Sequence, residues 1–223
     1  MDVTLSNVKA SGEGIQSPSI EFTFSAIPEV KSSDSGVSVR YVHDVGKQWY
    51  VLRASYGRED KALDYIVEDG TYGYVAKRTT YKILNGKRTK VLEHLIPNLL
   101  FVYTTEKKVH EYVTETANLS YLSFYYNHFY HIEDKNPPLV IPTSEMENFI
   151  RATSNMNEHL MVVESNRCKF KGGERVRVID GMFKGVEGKV ARVQGQQRVI
   201  VTISNVGLIA TAYVPSAFLQ IIE

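Results

Sequence analysis

Residues able to do covalent or metal chemistry are few, and their spacing does not gather them. His128 and His131, in NHFYH, lie three apart as a metal pair would, but no further His or Cys cluster completes a site, so a satisfied surface pair is the plainer reading. Cys168 is the single cysteine and has no paired histidine motif, which argues against a nucleophile. Gly181 to Lys189 has the glycines of a phosphate loop, but Val190 stands where Ser or Thr is required and no helix is expected to follow. No enzyme constellation emerges, and no metal or other cofactor is expected.

What the chain does offer is unevenly placed charge. Its net charge is only +1, with 43% hydrophobic and 23% charged residues, as in an ordinary globular protein. Arg167, Lys169, Lys171, Arg175, Arg177, Lys184, Lys189, Arg192 and Arg198 face only Glu174, Asp180 and Glu187 in the same stretch. Lys77, Arg78, Lys82, Lys87, Arg88 and Lys90 are answered by Glu93 alone, whereas residues 99–166 are acidic. Such segregation fits two faces offered to nucleic acid or an acidic protein, or merely an uneven solvated surface. One cysteine excludes a disulfide framework and makes a reducing compartment the default. No basic start precedes an apolar run and no apolar stretch nears about 18 residues, so neither a signal peptide nor a membrane helix is expected.

The elements follow from pattern. Residues 1–46 have loop composition, with at most a strand at Ser19–Phe24, and read as a flexible extension. From Lys47 the order is a strand at Gln48–Ala54, a helix over Arg58–Val67, and a hairpin of Thr79–Leu84 and Thr89–Glu93 about Asn85-Gly86. A strand at Leu99–Thr104, a helix over Glu106–Thr116, a strand at Ser120–Tyr125 and a helix from Thr143 complete it. This is an α+β arrangement of helices on a mainly antiparallel sheet, spanning 47–157. A linker at 158–168 leads to residues 169–223. There Gly172-Gly173, Asp180-Gly181, Gly185 and Gly188 punctuate strands at Arg175–Ile179, Lys189–Val193, Arg198–Ser204, Tyr213–Pro215 and Phe218–Ile222. Short strands at close spacing make a small five-stranded β-barrel.

The order GGE, VRVIDG, a phenylalanine and G-x-x-G-K-V resembles a KOW domain. With Trp49-Tyr50-Val51-Leu52, the Gly86-Lys87-Arg88-Thr89 hairpin, Ile96-Pro97-Asn98-Leu99-Leu100-Phe101-Val102 and the Pro142–Phe149 helix start, the whole resembles the NusG family of transcription elongation factors. The hairpin and the Pro97-Asn98 strand look most like the specialised, operon-specific paralogues, RfaH and the UpxY regulators of capsule polysaccharide operons.

The resemblance implies a non-enzymatic cytoplasmic monomer, free of membranes, that binds the clamp helices of the largest RNA polymerase subunit and raises processivity. Carried over by position, the polymerase-binding group is Trp49, Tyr50, Leu52, Leu99 and Phe101, with His110 reaching the opposite pincer. The competing role for Trp49, Leu99 and Phe101 is to fill the core beneath the strands. The family's pincer motif is His followed by two threonines, whereas this chain has His110-Glu111-Tyr112. Arg58, Lys61 and Tyr65 take the positions that read the non-template DNA strand. At i, i+3 and i+7 they share a helix face suited to phosphate contact and base stacking, and Arg53 could join them. Lys87, Arg88 and Lys90 would steer the hairpin toward upstream DNA. Val206, Gly207 and Leu208 stand where the KOW domain meets its partner, ribosomal protein S10 or Rho. The β-branched run at Val199–Ile203 favours a permanent barrel over a helical alternative. The alternative reading is a KOW-type RNA-binding or ribosome-associated protein, which would leave the first domain's motifs without a task.

Overall fold

The computed structural model describes residues 43–129 and 135–222. The extension expected at 1–46 lies outside the described residues up to residue 42, as does His131. The first domain is built on β1 (Gln48–Ala54), followed by α1 (Glu59–Glu68), β2 (Tyr72–Tyr74), β3 (Lys77–Leu84), β4 (Lys87–His94) and β5 (Leu99–Thr104). Then come α2 (Glu106–His110), a π-helical turn at Glu111–Glu115, β6 (Leu122–Phe124), β7 (Val140–Ile141) and α3 (Thr143–Thr153). The sheet runs β2-β5-β1-β6, with β7 also on β1, and its register pairs Trp49 with Tyr103 and Val51 with Phe101.

Helices cover both faces of this sheet, which explains why β1 and β5 read as unbroken apolar runs rather than alternating ones. Trp49, Val51, Phe101 and Tyr103 face α3 through Met146 and Phe149. Tyr50, Leu52, Leu100 and Val102 face α1, α2 and the π-helical turn through Ala62, Ile66, Val109 and Tyr112. The Phe101 and Phe149 rings meet edge-on at 5.3 Å, each burial contributing about 2–3 kcal/mol. The expected single helix over Glu106–Thr116 is α-helical only to His110, then widens into the π turn that brings the Tyr112 hydroxyl to Asp69 and Thr71. The β3–β4 hairpin stands apart as a two-stranded ribbon, closed by Asn85 and Gly86 with φ of 51° and 74° as a primed turn requires.

The second unit contains β8 (Met161–Val163), β9 (Lys169–Val178), β10 (Glu187–Val193), β11 (Gln196–Ile203), β12 (Gly207–Tyr213) and β13 (Leu219–Ile222). Their order is β13-β9-β10-β11-β12-β8, all antiparallel. Two expectations change here. Of the strand placed at Tyr213–Pro215 only Tyr213 is in a strand, as the last residue of β12, and Gly207 and Leu208 lie on that strand with only Val206 in the turn. The stretch expected as an open linker supplies β8, which pairs with β12, and Cys168 and Val163 roof a small apolar cluster with Ile200 and Ala210. The G-x-x-G spacing has a steric reason at its second glycine: a Cβ on Gly188 would collide with the Ile200 carbonyl and touch Val199.

The barrel is docked on α3 by a row of side chains. Asn148 makes two bonds to the Glu187 backbone, donating to its carbonyl (2.7 Å) and accepting from its N–H (2.8 Å), as a strand neighbour would. Glu145 accepts from the N–H and hydroxyl of Ser204, both at 2.8 Å. Ile150 and Val206 pack on the apolar cluster that continues from one unit into the other.

Candidate nucleic-acid interface and docking faces

Two turns position the basic side chains of the first domain. Ala54 N–H donates to the Asn98 carbonyl and Ser55 N–H to that of Tyr121, so the β1–α1 turn is tied to its neighbours on two sides. The buried Glu59 carboxylate, in the first turn of α1, accepts the N–H of Asn98, itself in the left-handed region at φ 64°. This explains the Pro97-Asn98 pair: the turn it forms is bonded to the helix start. His94 bridges Glu59 and Asp60 at 3.2 and 3.1 Å, and Lys77 reaches Asp60 at 2.8 Å. Burial raises the Asp60 carboxyl, but the Lys77 and His94 contacts more than offset it and hold it below the ordinary value.

With both carboxylates engaged, Arg58 and Lys61 are exposed and have no acidic partner among the described residues. The Arg58 guanidinium lies between two rings, 5.5 Å from the Tyr56 centroid and 5.1 Å from that of Tyr121. Tyr56 is 87% exposed with φ 62° and ψ 30°, a backbone state that costs a tyrosine about 1 kcal/mol or more. Sequence reasoning missed Tyr56 and Tyr121; the only local signal was an aromatic in the Ser55-Tyr56-Gly57 turn before a basic helix start. Tyr65 is half-buried against the α1 side of the core. Arg53 does not join Arg58. Alternation along β1 turns it to the face of Trp49 and Val51, where it lies 5.7 Å over the Tyr125 ring.

The hairpin divides its cations by position. At its base Lys77 is held by Asp60, while Arg78 donates to the Leu160 carbonyl and sits 3.9 Å from Glu93. Toward the tip Lys82, Lys87, Arg88 and Lys90 are exposed and have no carboxylate partner among the described residues, and Arg88 stacks 4.1 Å from the Tyr81 centroid. The barrel treats its arginines differently. Arg175 and Arg177 both grip Glu187, at 3.2 and 2.7 Å. Arg198 is buried and donates to the carbonyls of His159 and Thr211 and the side chain of Gln196, and burial lowers its pKa.

The six positions expected to meet polymerase do not form one patch. Trp49, Leu99 and Phe101 are buried on the α3 side, Tyr50 and Leu52 on the α1 side, because successive strand residues point to opposite faces. Only His110 is exposed, its ring 4.7 Å from Phe124. Tyr112, in the place of a threonine of the family's pincer motif, is a core residue, and Glu111 pairs with Lys108 at 2.8 Å. Among the three positions expected to meet the barrel's partner, Val206 packs on the shared cluster beside α3, Gly207 opens β12, and Leu208 pairs with Thr202 and Val163. No group of three or more metal-ligating side chains gathers among the described residues.

A sheet with helices on both faces, a protruding basic ribbon and an appended barrel together make a modular α+β architecture. Residues 47–150 match the family model described as "Transcription termination factor nusG". A solved structure titled "Domain interaction in Thermotoga maritima NusG" aligns over 79% of this chain and 98% of that one, at 20% identity and a TM-score of 0.39. A comparison with curated proteins found no match.

Proposed function

We propose that the protein is an operon-specific antitermination factor, serving a polysaccharide biosynthesis operon, that rides on RNA polymerase and touches the non-template DNA strand. The carrying observation is the α1 side of the first domain, where Arg58 and Lys61 stand exposed, without acidic partners among the described residues, beside exposed Tyr56. The tip cations Lys87 and Arg88 add a second, sequence-independent contact to upstream DNA. Trp49, Tyr50, Leu52, Leu99 and Phe101 act from beneath the surface, fixing the strands whose rims meet the clamp helices, while His110 meets the polymerase directly. Arg53, over Tyr125, serves the opposite rim. The barrel recruits ribosomal protein S10 or Rho through the Val206 turn and the adjoining Gly207 and Leu208. The protein works as a cytoplasmic monomer without a cofactor.

The test is co-elution of the full chain with core polymerase assembled on a nucleic-acid scaffold carrying an exposed non-template strand. Wild type co-elutes, and His110→Ala, which removes an exposed ring, weakens the complex several-fold without altering the melting curve. A protein that ignores polymerase but is retained by RNA or ribosomes would establish the ribosome-associated reading instead.

A further inference from the structure

We propose that Tyr56 and Arg58 form a stacking clamp for one unpaired base of a DNA strand. The inference rests on the nucleic-acid reading of the α1 side and assigns the stacking task to Tyr56, not to half-buried Tyr65.

Tyr56 is the most exposed aromatic among the described residues, and its hydroxyl makes no hydrogen bond there. It sits in a left-handed turn that glycine would occupy more easily, so neither packing nor backbone preference accounts for a tyrosine at this place. Arg58 covers one side of its ring, leaving the other open. Arg58 is in turn backed by Tyr121, which is 9% exposed and whose buried hydroxyl has no hydrogen-bond partner among the described residues. A guanidinium braced between a fixed ring and an open one is preordered, and no carboxylate among the described residues holds it away from a phosphate. Lys61 supplies a second cation one helical turn on. The nearby acids Glu59 and Asp60 are occupied by His94 and Lys77. An open aromatic face beside unpaired cations suits a base whose own face is free, which an unpaired strand presents and a stacked duplex does not.

The experiment measures fluorescence anisotropy of labelled oligothymidylate and of a duplex of equal length, at low salt, with the full chain. Tyr56→Gly removes the ring and the left-handed strain together, so the variant is at least as stable to urea as wild type. It binds the single strand about tenfold more weakly, the effect of losing one base–aromatic stack, while duplex binding is unchanged. Tyr56→Phe keeps wild-type affinity. The slope of log affinity against log salt is unaltered in Tyr56→Gly and shrinks by about 0.7 in Arg58→Gln. Full single-strand affinity in Tyr56→Gly, alongside weakened Arg58→Gln and Lys61→Gln variants, would overturn the clamp and leave the nucleic-acid reading standing. If wild type binds no single strand, or the Arg58 and Lys61 variants change nothing, both fall. An oligouridylate bound tenfold more tightly than its DNA counterpart would overturn the assignment to DNA.

Discussion

The hairpin and the barrel are the two basic stretches of this chain, and their cations meet opposite fates. Along the hairpin the charge loosens with distance from the body: Lys77 and Arg78 are bonded at the base, and Lys82, Lys87, Arg88 and Lys90 are open at the tip. In the barrel three arginines are engaged within the fold, two on Glu187 and one against backbone carbonyls, while Arg192 and the lysines Lys169, Lys184 and Lys189 stay exposed. Charge density along a sequence therefore measures supply, whereas availability depends on which acids and carbonyls the fold brings within reach.

Removing the barrel's internal arginine is the severest way to test that contrast. Arg198→Ala leaves the buried Thr211 carbonyl without its donor and opens space under β8, costing about 3 kcal/mol in urea unfolding followed by circular dichroism. A hairpin-tip change such as Arg88→Ala moves the same curve by no more than about 0.5 kcal/mol. A comparable loss in both would erase the distinction. The bonded base of the hairpin gives an intermediate effect with a pH signature. The folded-state pKa of Asp60 is depressed, so its contribution is complete above the unfolded carboxyl value and disappears as pH falls through the folded one. Asp60 is half exposed and its ion pairs are screened by solvent, so Asp60→Asn is destabilised by about 0.5 kcal/mol at pH 7 and matches wild type in strong acid, in melts recorded across the acid range. The smallest effect sharpens the comparison from the other side. Glu187→Gln frees Arg175 and Arg177 at an exposed site, changing stability by about 0.5 kcal/mol or less but delaying elution from a heparin column.

Much of the fold was legible because local and tertiary signals agreed. The Asn85-Gly86 turn, the apolar runs of β1 and β5 and the helix starts at α1 and α3 each carry their own pattern. Other elements have no such signal. Tyr72–Tyr74 is a strand of three residues that exists because β5 offers an edge, and Met161–Val163 reads as linker until β12 is placed beside it. The functional positions were legible by type rather than by exposure. A buried face on both sides of β1 turned the expected docking residues into core, and Tyr56 stood out only once its ring was seen in solvent.

The pairing of β8 with β12 bears on how the molecule can be cut. A barrel expressed from residue 169 onward would lose Met161–Val163 and bare the hydrogen-bonding edge of β12, with Ile200 and Ala210 unroofed beside it. Such an edge recruits a second copy, so the fragment would self-associate where one begun at Asn157 stays dispersed.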